Sequence, residues 1–148
     1  MREISSEQAR QMGIDTAHHE MDNGERRFRL MRNQDSSYIL TISAEAEGWQ
    51  NSHVHHEKKE WYLVEQGWIL IALLRGSQLE FHRLRADESL FVEPGVPHNV
   101  YISADSLVHT VKYGSSTTDW TPWPALDQLL TEQRQQWLSM IEKNSADR

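Results

Sequence analysis

Between Gly48 and Gly67 the chain reads GWQNSHVHHEKKEWYLVEQG, which places two histidines one residue apart, His53 and His55, ahead of a glutamate, Glu60. Side chains two positions apart on a strand point to the same face, so both imidazoles can converge on one ion if that strand lines an interior. Glu60 opens the next strand after a short connection and can bring its carboxylate beside them. A fourth candidate comes from FVEPGVPHNV, where Pro94 and Gly95 make a tight turn and His98 begins a strand that can approach from across the fold. The chain has no cysteine, so thiolate sites and disulfides are excluded and any metal must use nitrogen and oxygen ligands. Three imidazoles and a carboxylate suit iron(II), manganese, nickel, cobalt or zinc and suit calcium poorly. Four protein ligands leave one or two positions on a five- or six-coordinate ion, where substrate, water or dioxygen can bind.

Other residues lie near enough in sequence to act with these four. In LVHTVKY, His109 alternates with Thr110 and Lys112, and the sequence does not say which face is inside, so either His109 or Lys112 can reach a pocket. Trp49, Tyr62 and Tyr101 are candidates for an aromatic wall on which a small polar substrate stacks. His56 and Glu57 fall in the connection between the ligand-bearing strands, as neighbours of the ligands or as solvated loop residues. For proton transfer the candidates by position are His109, Lys112, Tyr62, Tyr101 and Glu57, with His109 and Tyr101 first as catalytic residues. Arg27 and Arg29 alternate with Phe28 and Leu30 and are expected to face water. His18, His19, His82 and Glu93 are read as surface residues.

The elements that must position these groups are mostly short strands. Residues 5–12 carry a helix start, with Ser5 as cap and Glu7 and Gln8 in the first turn, and Gly13 as a stop. Segments 26–32 and 37–43 read as the first two strands. From residue 60 to 113 a run of aliphatic- and aromatic-rich segments is punctuated by Gly67, Gly76, Asp87, Pro94-Gly95 and Asp105, the pattern of a sandwich or barrel. WILIALL, residues 68–74, is apolar on both faces, so a strand, a helix or a second subunit must cover its outer side. SSTTDWTPWP is a polar connector, and residues 124–143 read as a C-terminal helix with an apolar stripe of Leu126, Leu130, Trp137 and Ile141. The two-sided strand and the striped helix together predict a homodimer.

The histidine and glutamate pattern resembles the cupin family. Its first motif has a glycine, H-x-H, a glutamate and a second glycine, matched here by Gly48, His53, His55, Glu60 and Gly67. Its second motif has a proline and glycine ahead of a histidine, matched by Gly95 and His98. Asp87 stands where a glycine is usual, Glu93 where the proline is usual, with Pro94 following, and Ile102 where asparagine is common. The resemblance covers residues 48–102 closely. It implies an all-β fold with flanking helices, a double-stranded β-helix or jelly-roll-like barrel over residues 26–114 plus the C-terminal helix. It also implies one domain spanning 1–148, one divalent metal inside, and dimers; cupins that bind anionic substrates use inward arginines, which is the alternative to a water-facing Arg27 and Arg29.

At 148 residues the chain fits one domain. A net charge of -7 with no basic stripe argues against nucleic acid as a partner. The first residues lack a signal-peptide core and no stretch approaches a membrane span of roughly 20 apolar residues, so the expected location is the cytoplasm and the expected partner a small-molecule substrate. The first functional expectation is a metal-dependent isomerase, epimerase or lyase acting on a small oxygen-rich, carbohydrate-like molecule. An iron(II) dioxygenase and a non-catalytic ligand-binding or sensor protein are the alternatives, because fold alone does not choose among them.

Overall fold

The computed structural model describes residues 1–114 and 119–143; the first part of the predicted connector, Ser115 to Thr118, lies outside them. A six-residue helix, α1 (Ser6–Gln11), begins at Ser5 with a capping box, in which Ser5 Oγ accepts from the Gln8 amide and Gln8 answers on the Ser5 amide. The strands that follow are β1 (Asp15–Glu20), β2 (Arg26–Arg32), β3 (Ser37–Ile42), β4 (Gly48–Trp49), β5 (His53–Val54), β6 (Lys59–Gln66), β7 (Trp68–Arg75), β8 (Gln78–Arg85), β9 (Ser89–Val92), β10 (His98–Ile102), β11 (Leu107–Tyr113) and β12 (Thr121–Pro122). Two helices close the chain, α2 (Pro124–Glu132) and α3 (Arg134–Glu142). The strands form two antiparallel sheets, ordered β1-β2-β3-β11-β6-β9 and β12-β5-β10-β7-β8, with β4 on β10. β1 is an addition to the predicted set, since DTAHHE is too polar to announce a strand.

The inner faces enclose a core of Val64, Ile69, Ile71, Leu73, Val100 and Val108 with their neighbours. β7 explains the two-sided apolar segment. Ile69, Ile71 and Leu73 enter the core between the sheets, while Trp68, Leu70 and Ala72 point outward under Leu126, Leu130 and Trp137 of the final helices. The outer side of WILIALL is therefore covered by this chain's own helices, the helix alternative among the three, and the original ground for a dimer disappears. The predicted single helix over 124–143 is two helices broken at Gln133, which ends one and begins the other. The break lets Trp137 fold back so that its Nε1 donates to the Leu130 carbonyl at 2.8 Å.

Two turns place the ligand-bearing strands. Gly67 has φ +77°, and a Cβ there would stand 2.2 Å from Ser106 Oγ, so both conformation and space demand glycine between β6 and β7. Asp87 has φ +68°. Aspartate tolerates the left-handed region better than most residues, so this chain keeps, without glycine, the turn conformation that the resemblance associates with glycine.

Candidate metal centre

β5 and β10 pair with His53 opposite His98, and β11 pairs with β6 so that Lys112 stands opposite Glu60. These registers bring His53, His55, Glu60 and His98 together inside the fold, all buried, with Glu60 at 0% exposure and His98 at 1%. His53, Glu60 and His98 offer ligand atoms that all lie within 4.8 Å of one another. His55 Nε2 joins them at 3.5 Å from Glu60 Oε1.

The imidazoles are held in one tautomer. His53 Nδ1 donates to the Asn51 carbonyl at 2.9 Å, His98 Nδ1 to the Val96 carbonyl at 3.0 Å, and His55 Nδ1 to the Asp119 carbonyl. With Nδ1 committed to backbone oxygen, each ring turns its Nε2 lone pair toward the Glu60 carboxylate. His98 Nε2 contacts Glu60 Oε2 directly, whereas His53 Nε2 and His55 Nε2 are buried with no hydrogen-bond partner. Buried polar atoms without partners are rare. Lone pairs converging on a carboxylate fit a divalent cation, and these four residues are the ones that would hold it.

Lys112 Nζ lies 2.7 Å from Glu60 Oε1, close as an ion pair but outside hydrogen-bond geometry. Burial works to raise the pKa of Glu60, the Lys112 charge beside it is the foremost influence that lowers it, and the carboxyl is held well below its ordinary range. Tyr62 donates its hydroxyl to Glu60 Oε2 at 3.2 Å. Burial and the neighbouring Glu60 charge push the phenol well above its ordinary value, so it stays protonated.

A cavity of about 190 Å³ opens beside the four residues, lined by His53, Glu60, Tyr62, Lys112, Arg27 and Arg29, with Trp120 at its edge. Neither of the two candidate catalytic residues, His109 and Tyr101, lines this cavity. On β11 the buried Val108 fixes the inner face, which also carries Thr110 and Lys112, so His109 points outward between Tyr38 Oη at 2.7 Å and Glu65 Oε2 at 2.6 Å. Tyr101 projects from the other side of β10, stacked on Trp68 at 5.7 Å and packed against Trp49 and Trp137. Burial and Glu47 push its pKa up to about 12. Of the proposed aromatic wall only Tyr62 lines the cavity. Arg27 and Arg29, expected in water, also face inward, because Phe28 and Leu30 take the outer side of β2.

Other neighbours of the ligands behave as solvated residues. His56 and Glu57 have exposed side chains, Glu93 reaches Lys59 at 3.6 Å on the surface, and His82 pairs with Glu80.

The contribution of Asp119 and Trp120 was not anticipated from the sequence. The Asp119 carboxylate accepts the backbone N–H groups of His56 (2.8 Å), Glu57 (2.6 Å) and Lys58 (3.0 Å), while its carbonyl orients His55. The indole of Trp120 stacks on His53 at 5.7 Å. The sequence signal was one aspartate followed by the first of two tryptophans in a polar connector, more than 60 residues from the histidines they serve.

No family model matches the chain, and no curated protein matches its sequence. Solved structures do share its architecture. Oxalate decarboxylase from Bacillus subtilis superposes with a TM-score of 0.60 at 10% identity, over 73% of this chain and 30% of that one. The present chain thus spans about a third of that protein, which contains Mn(II) centres. KdgF from Halomonas sp. superposes with a TM-score of 0.56 at 18% identity, over 67% of this chain and 88% of that one. At such identities the likeness establishes the fold, and the fold is that of the cupins.

Proposed function

We propose that this chain is a metal-dependent enzyme of the isomerase, epimerase or lyase type, acting on a small oxygen-rich, carbohydrate-like molecule. The observation that carries the reading is the convergence of three Nε2 lone pairs and one carboxylate, of which His53 and Glu60 line an inner cavity together with Lys112 and Tyr62. A divalent ion held by His53, His55, Glu60 and His98 would supply Lewis acidity to a substrate carbonyl or hydroxyl. The Mn(II) centres of the structurally similar decarboxylase make manganese the first metal to test. Lys112 and Tyr62 replace His109 and Tyr101 as the groups that meet the reacting atoms, the Lys112 ammonium and the Tyr62 hydroxyl each carrying a proton at the cavity wall. Trp120, 48% exposed beside His53, offers a flat apolar surface for a ring or carbon chain at the entrance. The cavity is small beside the roughly 300–1,000 Å³ of drug-sized pockets, which supports a small substrate.

Metal analysis of protein purified without a histidine tag should find one first-row divalent ion per chain, and His98→Ala should lose it while keeping the folded circular dichroism spectrum. With a turned-over substrate in hand, Lys112→Gln should lower the rate by about 10²- to 10⁴-fold without changing metal content. Stoichiometric consumption of dioxygen during turnover would convert the reading to a dioxygenase. Binding of ligands without conversion of any would convert it to a binding protein.

A further inference from the structure

A second cavity lies on the outer side of β10, beside the final helices, and shares no lining residue with the one at the metal ligands. Its volume of about 350 Å³ falls within the roughly 300–1,000 Å³ usual for sites that take small molecules. Trp49 of β4, Leu130 of α2 and Trp137 of α3 give it an apolar wall, with the two indoles at 88° and their centroids 5.6 Å apart. Trp49 Nε1 is buried with no hydrogen-bond partner, a rare state for a donor in a folded chain.

The charged groups of this cavity are of opposite sign and do not meet. Asp127 comes from the first turn of α2 and Arg134 opens α3, on either side of the break at Gln133. Among the described residues neither forms an ion pair, with the other or with any third group. Asp127 Oδ1 accepts from Ser52 Oγ and Asn99 Nδ2, while Oδ2 has no partner among those residues. Ser52 precedes His53 and Asn99 follows His98, so the strands of the metal centre orient this carboxylate as much as its own helix does. The first turn of α3 has no side-chain cap, and the positive end of that helix adds to the Arg134 charge.

We propose that this cavity is a binding site for a free α-amino acid with an apolar side chain. Its ammonium group sits on Asp127, its carboxylate on the Arg134 guanidinium and its side chain against Trp49 and Trp137. The charge pattern disfavours simpler ligands, because a plain cation would face Arg134 and a plain anion would face Asp127, whereas a zwitterion satisfies both. A guanidinium with no protein carboxylate offers paired N–H donors that match a carboxylate in two-point geometry. An aliphatic or aromatic side chain leaves water for the two indoles and Leu130. The site stands apart from the proposed reaction, since none of its groups is a metal ligand or lines the inner cavity.

The test is calorimetric titration of the full chain as purified with L-leucine, L-phenylalanine and L-tryptophan, each compared with its N-acetyl and its amide derivative. At least one amino acid should bind about tenfold or more tightly than both derivatives, because each derivative lacks one of the two charges. Arg134→Gln should remove the preference over the amide and keep the preference over the N-acetyl form. Asp127→Asn should do the reverse, a crossed pattern that a general loss of structure would not produce. Where Asp127→Asn does not fold, Thr131→Trp fills the cavity from an exposed lining position. That variant should lower affinity at least about tenfold with an unchanged circular dichroism spectrum. No binding of any of the three amino acids, equal binding of the three forms, or affinity undiminished in Thr131→Trp would overturn the proposal, as would a preference over the amide that survives Arg134→Gln.

Discussion

Each imidazole of the centre is useful because something else fixes its orientation, and Asp119 serves twice. Its backbone carbonyl accepts the hydrogen bond from His55 Nδ1–H, and its carboxylate gathers the three amides of the turn that follows His55. Burial raises the Asp119 pKa, but the amides of Glu57, His56 and Lys58 outweigh it, so the folded value lies below that of a free carboxylate. Folding therefore favours the ionised form. The resulting stability is fully present above the unfolded value of about 3.9 and is lost as pH falls through the folded one. Asp119→Asn should be less stable than the parent at neutral pH, and the two melting curves should converge in acid; a gap that persists below the folded value would show that charge is not the cause. The same substitution should weaken metal binding by about 10- to 100-fold, because the partner orienting a ligand is disturbed.

Among the elements, the segment from Asp119 to α3 acts as a clamp on the two-residue strand β5. β12 pairs with β5, placing Thr121 opposite Val54 and Pro122 opposite His53. Ser52 Oγ donates to Asp127 in the first turn of α2, and Asn99 bridges Ser52 and the Gln50 carbonyl. The helices in turn rest on the outer apolar side of β7 and β10. Leu126, with 0% exposure, sits in this contact. Leu126→Ala should cost about 2–5 kcal/mol, read as a fall of several degrees or more in melting temperature. Metal affinity should fall with it even though no ligand is touched. Unchanged affinity in a clearly destabilised variant would show that β5 holds its geometry without the clamp.

For the whole molecule, the homodimer expected from β7 and the final helix has lost those grounds, since the two cover each other. Exposed apolar side chains lie instead on the outer face of the first sheet, among other places, where Phe91, Leu30 and Tyr113 are 48%, 45% and 43% exposed and Trp61 stacks on Phe91 at 5.8 Å. The dimer is retained as a proposal on that face, with a second copy as its occupant. Light scattering should then give about twice 17.3 kDa, falling to one copy in a Leu30→Glu, Phe91→Glu double variant; a single-copy mass for the parent would end it. Among the described residues no helix is long and apolar enough to cross a membrane.

The sequence by itself determined the residues of the candidate centre and the β class of the fold. Both are recorded in short-range patterns: H-x-H spacing puts two rings on one face, and the turn residues Gly67 and Gly95 mark where strands end. It also showed that the outer side of β7 must be covered, though not by what. Tertiary structure alone decided which face of each strand is inside. On β2 and β11 both faces mix apolar and polar side chains, so period-two alternation has no preferred sign. The answer came from packing, with Val108 in the core and Phe28 outside, and it exchanged His109 for Lys112 and brought Arg27 and Arg29 to the cavity. The orienting role of Asp119 and the break at Gln133 were likewise beyond sequence reading. Each depends on a contact with a surface that exists only once the two sheets have closed.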